Sequence, residues 1–436
     1  MIGPVCDVIY AGSNTIRGVN MRRSHYTRRL VAFVGAAVLL FGVSACAADS
    51  EIEVELPTQV DAALPDDTQA QLQAAMDRAI AATGSSGAIV GVWAPWAGSW
   101  VTGIGTSTPG GEPVTTDMTF KAGATTRAMT CDVLYALAAE GTVNLDDAVT
   151  DWVRGVPMDS EISLGELCDS TAGLGSYTDR LTGRMLANPA RNWNPRELLA
   201  YGTAQGIGGD SGASFRDSST GYLLLGLALE NASGMSAAAL YEDYIAQPLG
   251  LTQTQLASTS TSTLHGLLSG DVDGAVACAA PTDVTGLSPS AGFTASGVET
   301  DVTDLGRYVQ ALAIGARAYD DDARFESPLP VVADGPAWFT ASGGAYQAGD
   351  LIGQYGSVPG YLTAAFADKN TGMSVVVVLN NSRAGADVAR VLAWELAAVV
   401  SKVPAAAGQS APEAGLPWTA EDMSAQLAAA AVCPIP

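Results

Sequence analysis

Strand-like segments stand near both ends of this chain, and helical segments fill the stretch between them. Ala88–Trp93 and Ser99–Ile104 are short apolar runs joined through Ala94-Pro95-Trp96-Ala97-Gly98. Far downstream, Leu362–Ala367 and Met373–Leu379 are apolar and β-branched. They flank Asp368-Lys369-Asn370-Thr371-Gly372, the pattern of a hairpin closed by a glycine-ended turn. Helices are predicted between these pairs at Thr126–Ala139, Ser163–Asp169, Thr220–Glu230, Ser236–Ile245 and Val302–Ile314. Another starts at Asn194-Pro195, with the proline suited to a first turn, and runs to about Ala204. Three more lie outside that stretch, at Gln69–Ala82 before Gly84, at Ala386–Val400 and at Ala420–Ala431. Strands so far apart can share a core only by joining one sheet. The expected fold class is α/β of the α+β kind: an antiparallel sheet built from N- and C-terminal segments, flanked by helices, with an inserted all-helical domain. Residues 253–290, rich in Ser, Thr, Gly and Ala, read as a long irregular insertion, and no internal repeat is visible.

The N-terminus carries a targeting signal. A basic stretch from Met21-Arg22-Arg23 to Arg29 precedes the apolar run Leu30–Val43 and the small residues Ser44 and Ala45. That order is secretory, and the run is too short for a transmembrane helix, which needs about 20 apolar residues. Cys46 after small residues resembles a bacterial lipobox, with cleavage before the cysteine and lipidation of its thiol. Thr27-Arg28-Arg29-Leu30-Val31 also resembles a twin-arginine signal, so the export route stays open between the two systems. Residues 1–20 resemble no part of a signal, which places the start at Met21. The expected domains are a signal region (1–45), a lipid anchor and tether (46–65), the main domain (66–400), and a linker with a C-terminal helix (401–436). The expected location is the outer face of the cytoplasmic membrane, by lipid anchor.

With 45 acidic and 21 basic side chains, the chain offers nothing to nucleic acid or to other polyanions. Its 48% hydrophobic content is ample for a core. Cys131, Cys168, Cys278 and Cys433 would meet an oxidising compartment, where two disulfides in any of three pairings, or four buried thiols, are open. No cofactor is expected, and no Cys/His spacing supports zinc.

Several segments, in order across residues 66–400, resemble the serine β-lactamase and penicillin-binding protein family, its class C and D-Ala-D-Ala carboxypeptidase-like branch above all. They are Phe120 to Met129, where that family carries Ser-x-x-Lys; Glu140-Gly141-Thr142-Val143-Asn144-Leu145-Asp146-Asp147; Ile162 to Leu167 with Ser170-Thr171-Ala172-Gly173-Leu174; Thr220 to Gly226; Pro248-Leu249-Gly250-Leu251; and Gly353 to Tyr361. The resemblance implies a β-lactamase/transpeptidase-like fold. It also implies an acyl-enzyme mechanism with a serine nucleophile, proton transfer by lysine and tyrosine, and a backbone oxyanion hole.

At nearly every chemical position this chain departs from that pattern. The serine is Ala124, whose methyl group cannot attack a carbonyl. The lysine is Arg127, whose guanidinium stays protonated and cannot act as a base. The Tyr-x-Asn triplet falls on Asp217-Ser218-Ser219, and the Lys-Thr-Gly or His-x-Gly motif on Gln354-Tyr355-Gly356. The backbone N–H groups of Ala124 and Ser357 remain candidates for a polar hole. Arg127 and Asp217, opposite in charge where the family has two neighbouring proton carriers, are predicted to form a salt bridge that plugs the old site.

Other candidates carry less. Gly209-Asp210-Ser211-Gly212 lacks the histidine and aspartate partners a trypsin-like serine needs. Thr125 and Thr126 adjoin the lost serine, but helix geometry aims them elsewhere. Asp146-Asp147 and Asp320-Asp321-Asp322 read as acidic surface turns. The expected function is therefore a cell-envelope pseudoenzyme that binds a peptidoglycan stem peptide, a β-lactam-like ligand or an envelope protein. An active hydrolase using non-standard residues is the alternative, and a purely structural or chaperoning lipoprotein a third.

Overall fold

Ser374–Leu379 is buried at every position, and its side chains alternate between two faces. Val376 and Val378 enter one core, while Val375, Val377 and Leu379 enter another. Each such side chain, fully buried, contributes about 1.5–3 kcal/mol. A strand buried on both faces needs helices on both, and the rest of the architecture follows from that demand.

The computed structural model describes residues 54–435 apart from 157–161, 207–211, 318, 320–322 and 414. The signal region, Cys46, the first part of the tether, Gly209-Asp210-Ser211 and Asp320-Asp321-Asp322 lie outside the described residues. The main sheet has strands β1 (Gly87–Ala94), β2 (Gly98–Gly105), β3 (Leu329–Pro330), β4 (Phe339–Ser342), β5 (Ala345–Ala348), β6 (Leu351–Val358), β7 (Tyr361–Asp368) and β8 (Ser374–Leu379). Their spatial order is β3-β4-β5-β6-β7-β8-β1-β2, antiparallel throughout. Both ends of the chain thus meet at the β1–β8 pair, where Val90 stands opposite Val377. The β7–β8 turn closes as expected: Gly372 has φ +70°, and Asp368 accepts the N–H groups of Asn370 and Thr371.

One face of the sheet is covered by α1 (Asp66–Thr83), the other by α2 (Thr126–Ala139), α3 (Leu164–Cys168), α4 (Pro195–Thr203), α5 (Ser219–Ser233) and α6 (Val302–Ala313) with their neighbours. The chain then returns to the first face with α7 (Ala386–Val400) and α8 (Ala420–Ala429). Ser163 opens α3 with a capping box to Glu166, and Asn194 caps α4 with Pro195 in its first turn.

Two expectations change. Residues 54–65 are not a free tether: Val54 and Leu64 are buried, and the Leu64 N–H bonds Ser99 O. Residues 401–436 are not an appendage to a domain ending at 400, because they belong to the same compact unit as the sheet. Trp418 stacks on Trp394 at 4.8 Å, its Nε1–H donates to Trp394 O, and Cys433 is bonded to Cys278. The insertion 253–290 is irregular, as expected, and it is also pinned. Glu299, fully buried, accepts bonds from Ser260 Oγ, Thr261 N, Thr261 Oγ1 and Ser262 Oγ, and so holds the Ser/Thr-rich loop down. The four cysteines pair as Cys131–Cys168, joining α2 to α3, and Cys278–Cys433.

Candidate functional site

The start of α2 is pressed against strand β6. Gly123 takes φ +61°, a conformation L side chains rarely adopt, and turns the chain into Ala124. A Cβ on Gly356 would stand 2.5 Å from the Ala124 Cβ and 2.8 Å from its backbone nitrogen, so only glycine permits this approach. Beyond Gly353, β6 has no second strand partner among the described residues, and its free edge runs past Ala124.

Arg127 follows Ala124 by one helical step of three, on the same face. Its guanidinium pairs with the Asp217 carboxylate, donates to Ser219 Oγ at 3.2 Å, and lies 5.1 Å from the centre of the Tyr222 ring. Burial works against its charge, but Asp217 and the neighbouring tyrosines more than offset this, so its pKa lies above the usual arginine value. The guanidinium is firmly charged and no proton acceptor. The predicted pairing is therefore present.

It does not plug the site. A cavity of about 670 Å³ opens over the pair, lined by Ala124, Arg127, Asp217, Ser219, Gly356 and Ser357 among others. The two partners are unequally placed: the Arg127 side chain is 8% exposed and that of Asp217 47%. The arginine forms the floor, and the carboxylate beside it stays open to solvent.

Among the described residues, Gln354 is the one predicted active-site position outside this cleft. It is buried, donating from Nε2 to Gly344 O at 3.0 Å and accepting the Tyr355 N–H. Strand alternation turns the next residue, Tyr355, into the cleft instead. Phe215, Arg216, Tyr346 and Lys121 also line it and were not singled out from sequence. Phe215 and Arg216 adjoin Asp217, and Lys121 lies within the segment that marks the lost nucleophile, so position relative to those residues was the available signal.

Lys121 is buried, and burial lowers its pKa to about 8 against the opposing pull of Glu299 and Asp283. Its Nζ donates to Thr285 O at 2.9 Å. Burial, opposed by Arg127, raises the hydroxyl pKa values of Tyr177 and Tyr222 well above the usual range, so neither is a base near neutral pH. Thr125 and Thr126 do point elsewhere: Thr125 Oγ1 donates to Ala122 O, and Thr126 Oγ1 accepts the Val298 N–H. His265 is paired with Asp283 at 2.6 Å, away from the cleft lining. Asp147 accepts bonds from Asn144 in a turn of its own.

The family model described as Beta-lactamase matches residues 72–399. A penicillin-binding protein of Bacillus subtilis (strain 168) is 26% identical over 152 residues, which is 33% of this chain and 32% of that protein. The match thus spans about a third of that relative's length. Among solved structures, a D-stereospecific amidohydrolase from Streptomyces sp. is 24% identical with a TM-score of 0.64, over 73% of this chain and 95% of that one. The D-amino acid amidase of Ochrobactrum anthropi SV3, complexed with L-phenylalanine amide, is 21% identical with a TM-score of 0.63, over 72% and 92%. The octameric penicillin-binding protein homologue from Pyrococcus abyssi is 20% identical with a TM-score of 0.65, over 81% and 80%. At these identities the solved structures establish the fold.

Proposed function

We propose, from the premise that the chain belongs to the Beta-lactamase family, that its cleft has exchanged covalent catalysis for non-covalent binding. The observation that carries this reading is the pairing of loss with retention. The nucleophile position is a methyl group and the proton acceptor is a charged arginine held by Asp217, yet a cavity of about 670 Å³ remains beside them. Removing the nucleophile takes away most catalysis at once, because residues of such a set act as a unit. The geometry around the lost serine supports a retained site: Gly123 and Gly356 keep the tight approach of α2 to β6.

The ligand class is a small peptide-like molecule, with a peptidoglycan stem peptide as the first candidate. An N-terminal export signal with lipidation at Cys46 would hold the protein at the outer face of the cytoplasmic membrane. The two disulfides support an oxidising compartment. Export is tested by fractionation of cells carrying Cys46→Ser: release from the membrane fraction supports the anchor, and unchanged membrane association refutes it.

The second reading, an active hydrolase using non-standard residues, has one observation in its favour. Lys121, with its pKa lowered to about 8, lines the same cleft as the backbone of Ala124 and Ser357. Turnover assays with a chromogenic cephalosporin and with D-amino acid amides separate the readings. Turnover at background rates supports binding alone; turnover abolished by Lys121→Met establishes the enzyme.

A further inference from the structure

The charges of the cleft are unequally available. Of its cations, Lys121 is buried and bonded to Thr285 O, and Arg127 is buried against Asp217, Ser219 and Tyr222. Arg216 is exposed, but its Nη1 donates to Gly173 O at 2.8 Å. Of its carboxylates, Asp179, Asp217 and Asp387 are all solvent-facing, with Asp387 sharing its charge with Arg390 at 3.2 Å. Asp217 gives Oδ1 to Arg127, while its Oδ2 has no hydrogen-bond partner among the described residues. Below it, the buried Arg127 Nε also lacks a partner. The cleft therefore has a solvent-open carboxylate oxygen at its surface and a buried donor without a protein partner at its base.

Aromatic side chains line the same cleft as that carboxylate, with Arg390 already lying over the Tyr355 ring, 5.3 Å from its centre. Phe215 and Tyr355 are half-buried at the cleft wall, and Tyr346 lies between them, 5.7 Å from the first ring and 4.7 Å from the second. Asp217, Phe215 and Tyr346 line one small pocket at the cleft wall, and the charge of Asp217, after burial, raises the hydroxyl pKa of Tyr346. A carboxylate oxygen beside aromatic faces is the arrangement that holds an ammonium ion: a charge-assisted hydrogen bond on one side and ring quadrupoles on the other. A ligand carboxylate meets the opposite situation. At the head of the motif on β6 stands Gln354, which is uncharged and turned inward.

We propose that the cleft recognises its ligand through a primary ammonium group held by Asp217 Oδ2 against the rings of Phe215, Tyr346 and Tyr355. The ligand is then an amine-bearing amino acid amide or peptide, and not one anchored by a terminal carboxylate. This inference rests on the binding reading above and deepens it.

Calorimetric titration of the full-length chain in detergent tests it with three probes: phenylalanine amide (cationic), N-acetylphenylalanine amide (neutral) and N-acetylphenylalanine (anionic). The expected result is binding of the cation at least tenfold tighter than either other probe, with that preference lost in Asp217→Asn. Circular dichroism of the variant establishes that it is folded, and Tyr355→Leu provides an independent loss of the ring contact. Equal binding of cation and neutral amide, or tightest binding of the anion, overturns the ammonium inference and leaves the binding reading standing. Binding of none of the three at millimolar concentration overturns both.

Discussion

Helix α2 carries two arginine–aspartate pairs five residues apart, and they are built in opposite ways. Asp132 faces Arg324 in the interior, with side chains 5% and 1% exposed. Its second oxygen accepts the Tyr308 hydroxyl at 2.6 Å, and Arg324 donates further to Gly343 O and Ala128 O. That cluster ties α2 to α6 through Tyr308 and to the β4–β5 turn through Gly343. Arg127 and Asp217 instead meet at a boundary, with one partner in the floor of a cavity and the other half in solvent. The inner pair has its polar atoms engaged and serves the fold. The outer pair leaves one carboxylate oxygen open to solvent and one buried N–H without a protein partner, and on the proposed reading that difference makes it the place for a ligand.

The largest test of this contrast is Arg324→Ala. It leaves Asp132 buried without its cation and is expected to cost about 3–5 kcal/mol in urea unfolding, as for other broken buried pairs. A loss under about 1 kcal/mol would remove the distinction between the pairs. Next comes reduction of the Cys131–Cys168 bond, or the double replacement by alanine, which frees α2 from α3 beside both pairs. The expected cost is about 2–4 kcal/mol, read as a lowered midpoint, and an unchanged midpoint would mean that packing alone holds α2 in register.

Asp217→Asn should matter less for stability, by about 1–3 kcal/mol, because Arg127 is left buried without its countercharge but the carboxylate is half in water and asparagine still accepts a bond. A loss as large as that of Arg324→Ala would make the outer pair structural too. The smallest effect concerns Lys121. Methyl-labelled lysine NMR should show one resonance titrating at about 8. Because the amine binds its proton more weakly folded than unfolded, the unfolded chain holds more protons from about pH 8 up to the ordinary lysine range. Lys121 therefore adds stability as pH rises through that window. Titration of all lysine signals above 10 would contradict the lowering of this amine's pKa by burial.

Legibility in the sequence followed the range of the interactions. Helices Thr126–Ala139 and Ala386–Val400 have the limits their apolar patterns suggest, since those patterns are local. The Arg127–Asp217 contact was legible because two charge changes fell on adjacent family positions. The open cavity above it was not, because pairing two charges says nothing about the walls that Phe215 and Tyr355 hold apart. Gln354 was misplaced for a simpler reason: along a strand, neighbours face opposite ways, and a motif alignment does not say which one faces the cleft. The C-terminal segment looked like a linker because its Pro/Ala/Gly composition hides two distant anchors, Trp418 on Trp394 and Cys433 on Cys278. Likewise nothing in the Ser/Thr run 258–263 told what holds it down, because the carboxylate that organises it, Glu299, lies 37 to 39 residues downstream of the residues it bonds.

The most direct test of the central claim is the intact mass of the purified chain after incubation with a fluorescent penicillin. A cleft that binds without covalent chemistry leaves the mass unchanged at every time and concentration. A stoichiometric mass increase equal to the penicillin would contradict the account, for it would show that another group, with Lys121 the first to examine, has taken the place of the lost serine.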